Sequence, residues 1–137
     1  MRNCFIILLT LIFFSCAQAT AKHLHLEKEY QKAYADRIGG IVEYQLPDHT
    51  RVDILTPIYA IEVDFAQKWA ESIGQALYYA IRTERKPAVL LILENPLKEY
   101  KYLLRLRTVA ERYNITIFTI TPAELNGQES ESDLLQQ

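Results

Sequence analysis

The chain has 137 residues, half of them hydrophobic, and carries 15 lysines and arginines against 17 acidic residues for a net charge of −2. That length allows one core of ordinary size and excludes a second domain. A mildly acidic chain is not a general binder of polyanions, so any nucleic-acid contact must rest on a local basic patch.

Arg2 is followed by an apolar run over residues 5–14 and then by Ala17-Gln18-Ala19 and Ala19-Thr20-Ala21. A basic start, a short apolar stretch and small residues form the pattern of a secretory signal peptide. The run falls short of the roughly 20 apolar residues that a membrane span needs. The expectation is therefore a signal peptide at 1–21, a single domain at 22–121 and a disordered acidic tail at 122–137. The exported chain would be periplasmic or secreted. Two other fates compete: lipid attachment at Cys16, for which Phe13-Phe14-Ser15 is a poor lipobox, and retention of the run as an anchor. Cys4 and Cys16 both lie in this segment, so the mature chain has no disulfide and its core alone must hold it. Loss of Arg2 moves the net charge to about −3.

Beyond the leader, helical and extended patterns alternate. Leu26, Tyr30, Ala33, Tyr34 and Ile38 recur at helical spacing, and Gly39-Gly40 supply a stop. Residues 41–46 read as a strand, and Pro47-Asp48-His49-Thr50 as a turn. Two runs of alternating polarity follow, 51–56 and 60–65, joined through Pro57. Residues 67–82 read as a helix, broken near Pro87. The continuous apolar run at 88–93 has the character of a buried parallel strand. A helix over 97–113, with Leu103, Leu106, Val109 and Ala110 inward, precedes a last strand at 115–120. The order α-β-β-β-α-β-α-β indicates an α/β fold with a mixed sheet flanked by helices.

The two alternating strands carry the chemistry. In the second, Ile61, Val63 and Phe65 point to one face, and Glu62 and Asp64 to the other. In the first, Asp53 shares a face with Arg51 and Leu55. Pairing the strands brings three carboxylates to one patch, which needs a cation, a lysine or a shared proton. Magnesium suits such a patch, because it takes few protein carboxylates and keeps its waters. Lys68, Ser72, Gln75 and Tyr79 form a polar stripe on the following helix, beside an apolar stripe of Trp69, Ile73, Ala76, Leu77 and Ala80. Lys68 is near enough to the end of the Glu62 strand to bring its ammonium to the acids. Glu27 falls inside the apolar arc of the first helix and needs a partner there.

A helical Glu, an Asp in one strand, Glu-x-Asp in the next and Gln-x-x-x-Tyr on a helix resemble the PD-(D/E)XK nuclease superfamily. The resemblance covers roughly residues 26–93 and implies a restriction-endonuclease-like αβββαβ core, here with a C-terminal αβ addition. It implies Glu27 as the first acid, Asp53 and Glu62 as ligands of Mg2+ or Mn2+ with the Val63 carbonyl, and Gln75 and Tyr79 as substrate contacts, joined by Ser72 of the same stripe. The catalytic set would be Asp53, Glu62, Lys68, Glu27 and Asp64. Asp64 stands where the family has lysine, and Lys68 is its natural replacement. The implied activity is metal-dependent hydrolysis of phosphodiester bonds, in DNA, by an exported nuclease. The alternative is a catalytically inactive nuclease-fold module that binds or interacts in the periplasm.

Blander readings stand beside these. Asp53 could pair with Arg51 at the surface, Glu62 and Asp64 could line the solvated face of an edge strand, and Gln75 and Tyr79 could be helix packing. His23, His25 and His49 are not spaced for zinc. Lys98, Lys101, Arg105 and Arg112 read as a solvated face, and Glu94 as a strand-end residue.

Overall fold

A computed structural model describes residues 22–125. The elements are α1 (Glu27–Ile38), β1 (Ile41–Gln45), β2 (Arg51–Leu55), β3 (Tyr59–Phe65), a short 3-10 turn (Ala66–Lys68), α2 (Trp69–Thr83), β4 (Lys86–Ile92), α3 (Pro96–Tyr113), β5 (Thr116–Ile120) and α4 (Pro122–Leu125). The five strands lie side by side in chain order. β1, β2 and β3 are antiparallel neighbours, and β4 and β5 continue the sheet parallel to β3. The fold is α/β, a mixed sheet flanked by helices.

Each turn has a local cause. α1 ends where Gly39 takes φ 67°, a left-handed value that glycine adopts without strain. Gly40 has no room for a side chain, since a Cβ there would meet Ile54. Asp48 closes the β1–β2 turn by accepting from the Thr50 backbone and hydroxyl, and Tyr78 donates to its other oxygen. Thr56 Oγ1 accepts from the Ile58 and Tyr59 amides in the β2–β3 turn. Asn95 caps α3 at Lys98 N, with Pro96 in the first helical position.

The core has two main parts, one on each face of the sheet. Ile61, Val63, Ala88, Leu90 and Ile92 pack with Tyr30 and Ala35 of α1. Val89 and Leu91 pack with Ala76 of α2 and Leu103, Leu106 and Ala110 of α3. β4 is therefore apolar on both faces, as its sequence indicates.

Before α1, the chain is pinned to the end of β4. Glu94 accepts hydrogen bonds from Leu24 N at 2.8 Å, His25 N at 3.2 Å and the Tyr30 hydroxyl at 2.9 Å, and His23 Nδ1 is 2.9 Å from its other oxygen. The His23 ring stacks on Phe65 at 3.5 Å between centroids. Burial alone would raise the Glu94 carboxyl, but these bonds outweigh it and hold it below its ordinary value.

The sequence expectations need four corrections. The inner face of α1 carries Tyr30, Gln31 and Ala35, whereas Leu26 is 72% and Ile38 41% exposed. α2 begins at Trp69, after a 3-10 turn that contains Lys68. Pro87 belongs to β4, opposite Ala60, rather than breaking a helix. Residues 122–125, assigned to the disordered tail, form α4, whose Glu124 pairs with Arg37 of α1 at 3.1 Å. The leader at 1–21 and the remainder of the tail lie outside the described residues.

Candidate functional site

Asp53 marks an irregularity in β2. Strand alternation should put Val52 and Ile54 on one face. Instead Val52 packs with Leu46, Ala60 and Tyr79, while Ile54 packs in the cluster around Tyr30. The β2–β3 register pairs Ile54 with Ile61 and Leu55 with Ala60. One step further, Asp53 Oδ2 accepts the Val63 amide at 2.7 Å in place of a backbone carbonyl. On the other side Glu43 of β1 takes φ 54°. Gln31 Nε2 donates to the Asp53 carbonyl at 2.7 Å and to Glu43 Oε1 at 3.2 Å. A buried side chain of α1 thus satisfies the backbone group that the turned-over strand exposes.

The structure brings Glu62 and Asp64 to this opening. Both are buried, at 5% and 3% exposure, so they are not the solvated face of an edge strand. Glu62 and Asp53 sit close enough that each affects the other's hold on its proton, and two such buried carboxyls favour a shared proton or a cation. Burial, then the neighbouring Asp53 and Asp64, push Glu62 far above its ordinary value. Burial also raises Asp53, against the pull of the Val63 amide. Asp64 is raised to about 6 by burial and by Glu27, against the nearby Lys68.

Lys68 Nζ lies 3.3 Å from Asp64 Oδ1. That oxygen nevertheless has no aligned hydrogen-bond partner, so the contact is ionic and the oxygen remains a buried acceptor to be satisfied. Glu27 is half-buried at the start of α1. Its carboxyl is raised by burial, with Lys68 lowering and Asp53 raising it. Asp64, with Glu27 adding to its pull, raises the Lys68 ammonium in turn, so it stays charged.

The α2 residues divide. Tyr79 is buried against Val52 and Ala60, and its hydroxyl is raised to about 12 by burial and by the charges of Glu62 and Asp53. Gln75 is exposed. Ser72 does not belong with them: it is fully buried and donates to the Trp69 carbonyl at 2.8 Å, so its expected substrate contact is corrected to a bond within the helix. Arg51 pairs with Glu43 at 3.4 Å, not with Asp53.

Among the described residues, no three His, Cys, Asp or Glu side chains are disposed to form a metal-binding group. What the site offers is an open set: the Asp53 and Glu62 carboxyls and the Val63 carbonyl. That carbonyl points to the same side as the Val63 amide, as in any strand. Two neighbouring acids, and an Asp64 oxygen held only by its ion pair with Lys68, would suit a hard cation that keeps most of its water rather than one needing a closed cage. A groove of about 770 Å3 lined by Tyr59, Lys86, Asn114 and Thr116 is at the other end of the parallel strands, away from the acids.

Sequence reasoning missed Gln31 and Glu43, which complete the Asp53 corner. Gln31 stands next to Tyr30 on the helix, but nothing in a polar residue marks it as buried. Compared with protein families, curated proteins and solved structures, the chain has no significant match to any of them.

Proposed function

We propose that this chain is an exported, divalent-metal-dependent nuclease that hydrolyses phosphodiester bonds of DNA, with Mg2+ or Mn2+ held by Asp53, Glu62 and the Val63 carbonyl. The observation that carries this reading is the buried acidic set at the β2–β3 opening, where Asp53 is held by the Val63 amide and Glu62 and Asp64 are both buried, with Lys68 at 3.3 Å from Asp64. Like charges so close are stable only around a proton or a cation. The element order α-β-β-β-α-β, with the acids on adjacent strands, also agrees with a restriction-endonuclease-like core.

A bound divalent ion would acidify a water and polarise the phosphate. The remaining steps belong to the chain. The Val63 amide fixes one Asp53 oxygen and leaves the other for the ion. Lys68, positive beside Asp64, offsets charge that develops at the phosphate. Glu27 and Asp64 hold that ammonium at the site, and exposed Gln75 with Tyr79 orient the substrate strand. Export rests on the leader motif and is checked by N-terminal sequencing of the extracytoplasmic chain, which should start near Thr20 or Lys22.

The test is incubation of the purified chain with circular and linear DNA, with magnesium or manganese and with chelator. Metal-dependent cleavage that Asp53→Asn abolishes is the expected result. The second reading is a catalytically inactive nuclease-fold module, favoured by Asp64 at the lysine position and by the closure of Lys68 on it. No cleavage of any DNA or RNA, with no metal-dependent shift in melting, would leave that reading alone.

A further inference from the structure

We infer that α3 carries a second functional surface, a basic stripe that docks the phosphate backbone of duplex DNA and leads it towards the acidic site. The inference rests on the nuclease reading and adds to it the surface that reading lacks. A chain of net charge −2 attracts a polyanion only through a local patch.

Lys98, Lys101, Arg105 and Arg112 are all exposed. At 100° per residue they fall within an arc of about 60°, and they run along about 21 Å of helix axis. No acidic residue shares the arc. Glu99 is on the buried side with Leu103, Leu106 and Ala110, and Glu111 lies well round the helix from it. Among the described residues, no carboxylate forms an ion pair with any of the four. Lys101 and Arg105 repel each other one turn apart, and among the described residues each has the Tyr102 ring as its neighbour, at 4.9 and 5.6 Å. Charges so arranged are relieved by an extended anion.

The position of the stripe favours a nucleic acid over a lipid surface. α3 starts immediately after the end of β4, and its Glu99 accepts a hydrogen bond from Gln67, the neighbour of Lys68. Lys98, at one end of the stripe, is the chain neighbour of Glu99, so that end of the stripe is the one near Gln67 and Lys68. A membrane has no need of that alignment, although exposed Leu97, Tyr100 and Leu104 flank the stripe.

The test is binding of a labelled DNA duplex to the full chain in chelator, so that nothing is cut, across about 50 to 200 mM salt. The variant Lys101→Glu/Arg105→Glu should bind at least tenfold more weakly and lower the log–log salt slope by about 2, since each lost phosphate contact removes about 0.9. Lys32→Glu, an exposed reversal on α1, should change neither. A double variant with wild-type affinity and slope overturns the inference, and cleavage by the wild type would still uphold the nuclease reading. Binding to phosphatidylglycerol vesicles but not to duplex overturns it in favour of a membrane. A chain that neither binds nor cuts DNA overturns both.

Discussion

Asp53, Glu62 and Asp64 are acids whose protons are held more tightly in the folded chain than in the unfolded one. Burial is the first cause for each, with the neighbouring carboxyls adding to it, and Asp64 reaches about 6. A raised carboxyl stabilises the fold fully below the ordinary carboxylate range and loses that contribution as pH rises through its folded value. The metal-free chain should therefore melt lower at about pH 7 than at about pH 5, with Asp64 alone contributing about 1 kcal/mol of the difference. Thermal melts in chelator check this, and a melting temperature that climbs over the interval would mean the acids are not buried together. Asp53→Asn should hold or raise melting near neutral pH and lose the stabilisation that added magnesium or manganese gives the wild type. Lys68 tests the other charge. Lys68→Ala should lower DNA turnover by about a hundredfold or more while the metal-dependent melting shift persists, because a preorganised charge is removed and no ligand is lost. Wild-type turnover in that variant would place the working cation elsewhere.

At the level of elements, glycine substitutions separate the packing roles of three backbone positions. Gly40→Ala brings a Cβ to 2.4 Å from Ile54 Cγ2, where α1 hands over to β1, and should cost about 1–3 kcal/mol. Gly39→Ala meets no atom but must take φ 67°, at about 1 kcal/mol. Gly74→Ala lies inside α2 with open space around it and should stabilise by about 0.5–1 kcal/mol. Urea denaturation orders the three, and a stabilising Gly40→Ala would show that the α1–β1 junction is looser than described. The strands and long helices were legible in the sequence because their burial follows a simple period: 88–93 reads apolar throughout and becomes the two-faced β4. α1 was misread because apolar Leu26 and Ile38 are exposed while polar Gln31 is buried. Its burial depends on the Asp53 carbonyl, and hence on a twist in another strand that no local pattern encodes. The same twist decides the site. Alternation grouped Asp53 with Glu62, but it breaks down in β2 itself, and it could not foresee that the Asp53 carboxyl would take over the Val63 amide. Ser72 misled because a serine in a polar stripe reads as surface, and its bond to Trp69 O is visible only in the folded helix.

At the scale of the whole molecule, two patches of opposite sign stand out among the described residues. Acids gather where β2 and β3 part, and cations with no carboxylate ion pair among the described residues line the outside of α3, so a small net charge hides two local patches. The two regions meet near Gln67, where the end of β3 passes into α2. The other junction there is Glu94. It ties His23, Leu24, His25 and Tyr30 to the end of β4, whose Leu91 and Ile92 stand opposite Asp64 and Phe65. The segment from His23 to Tyr30 is therefore held against that strand end rather than left loose. One carboxylate joins these first described residues to the strand that lies beside Asp64, so they brace the back of the acidic site.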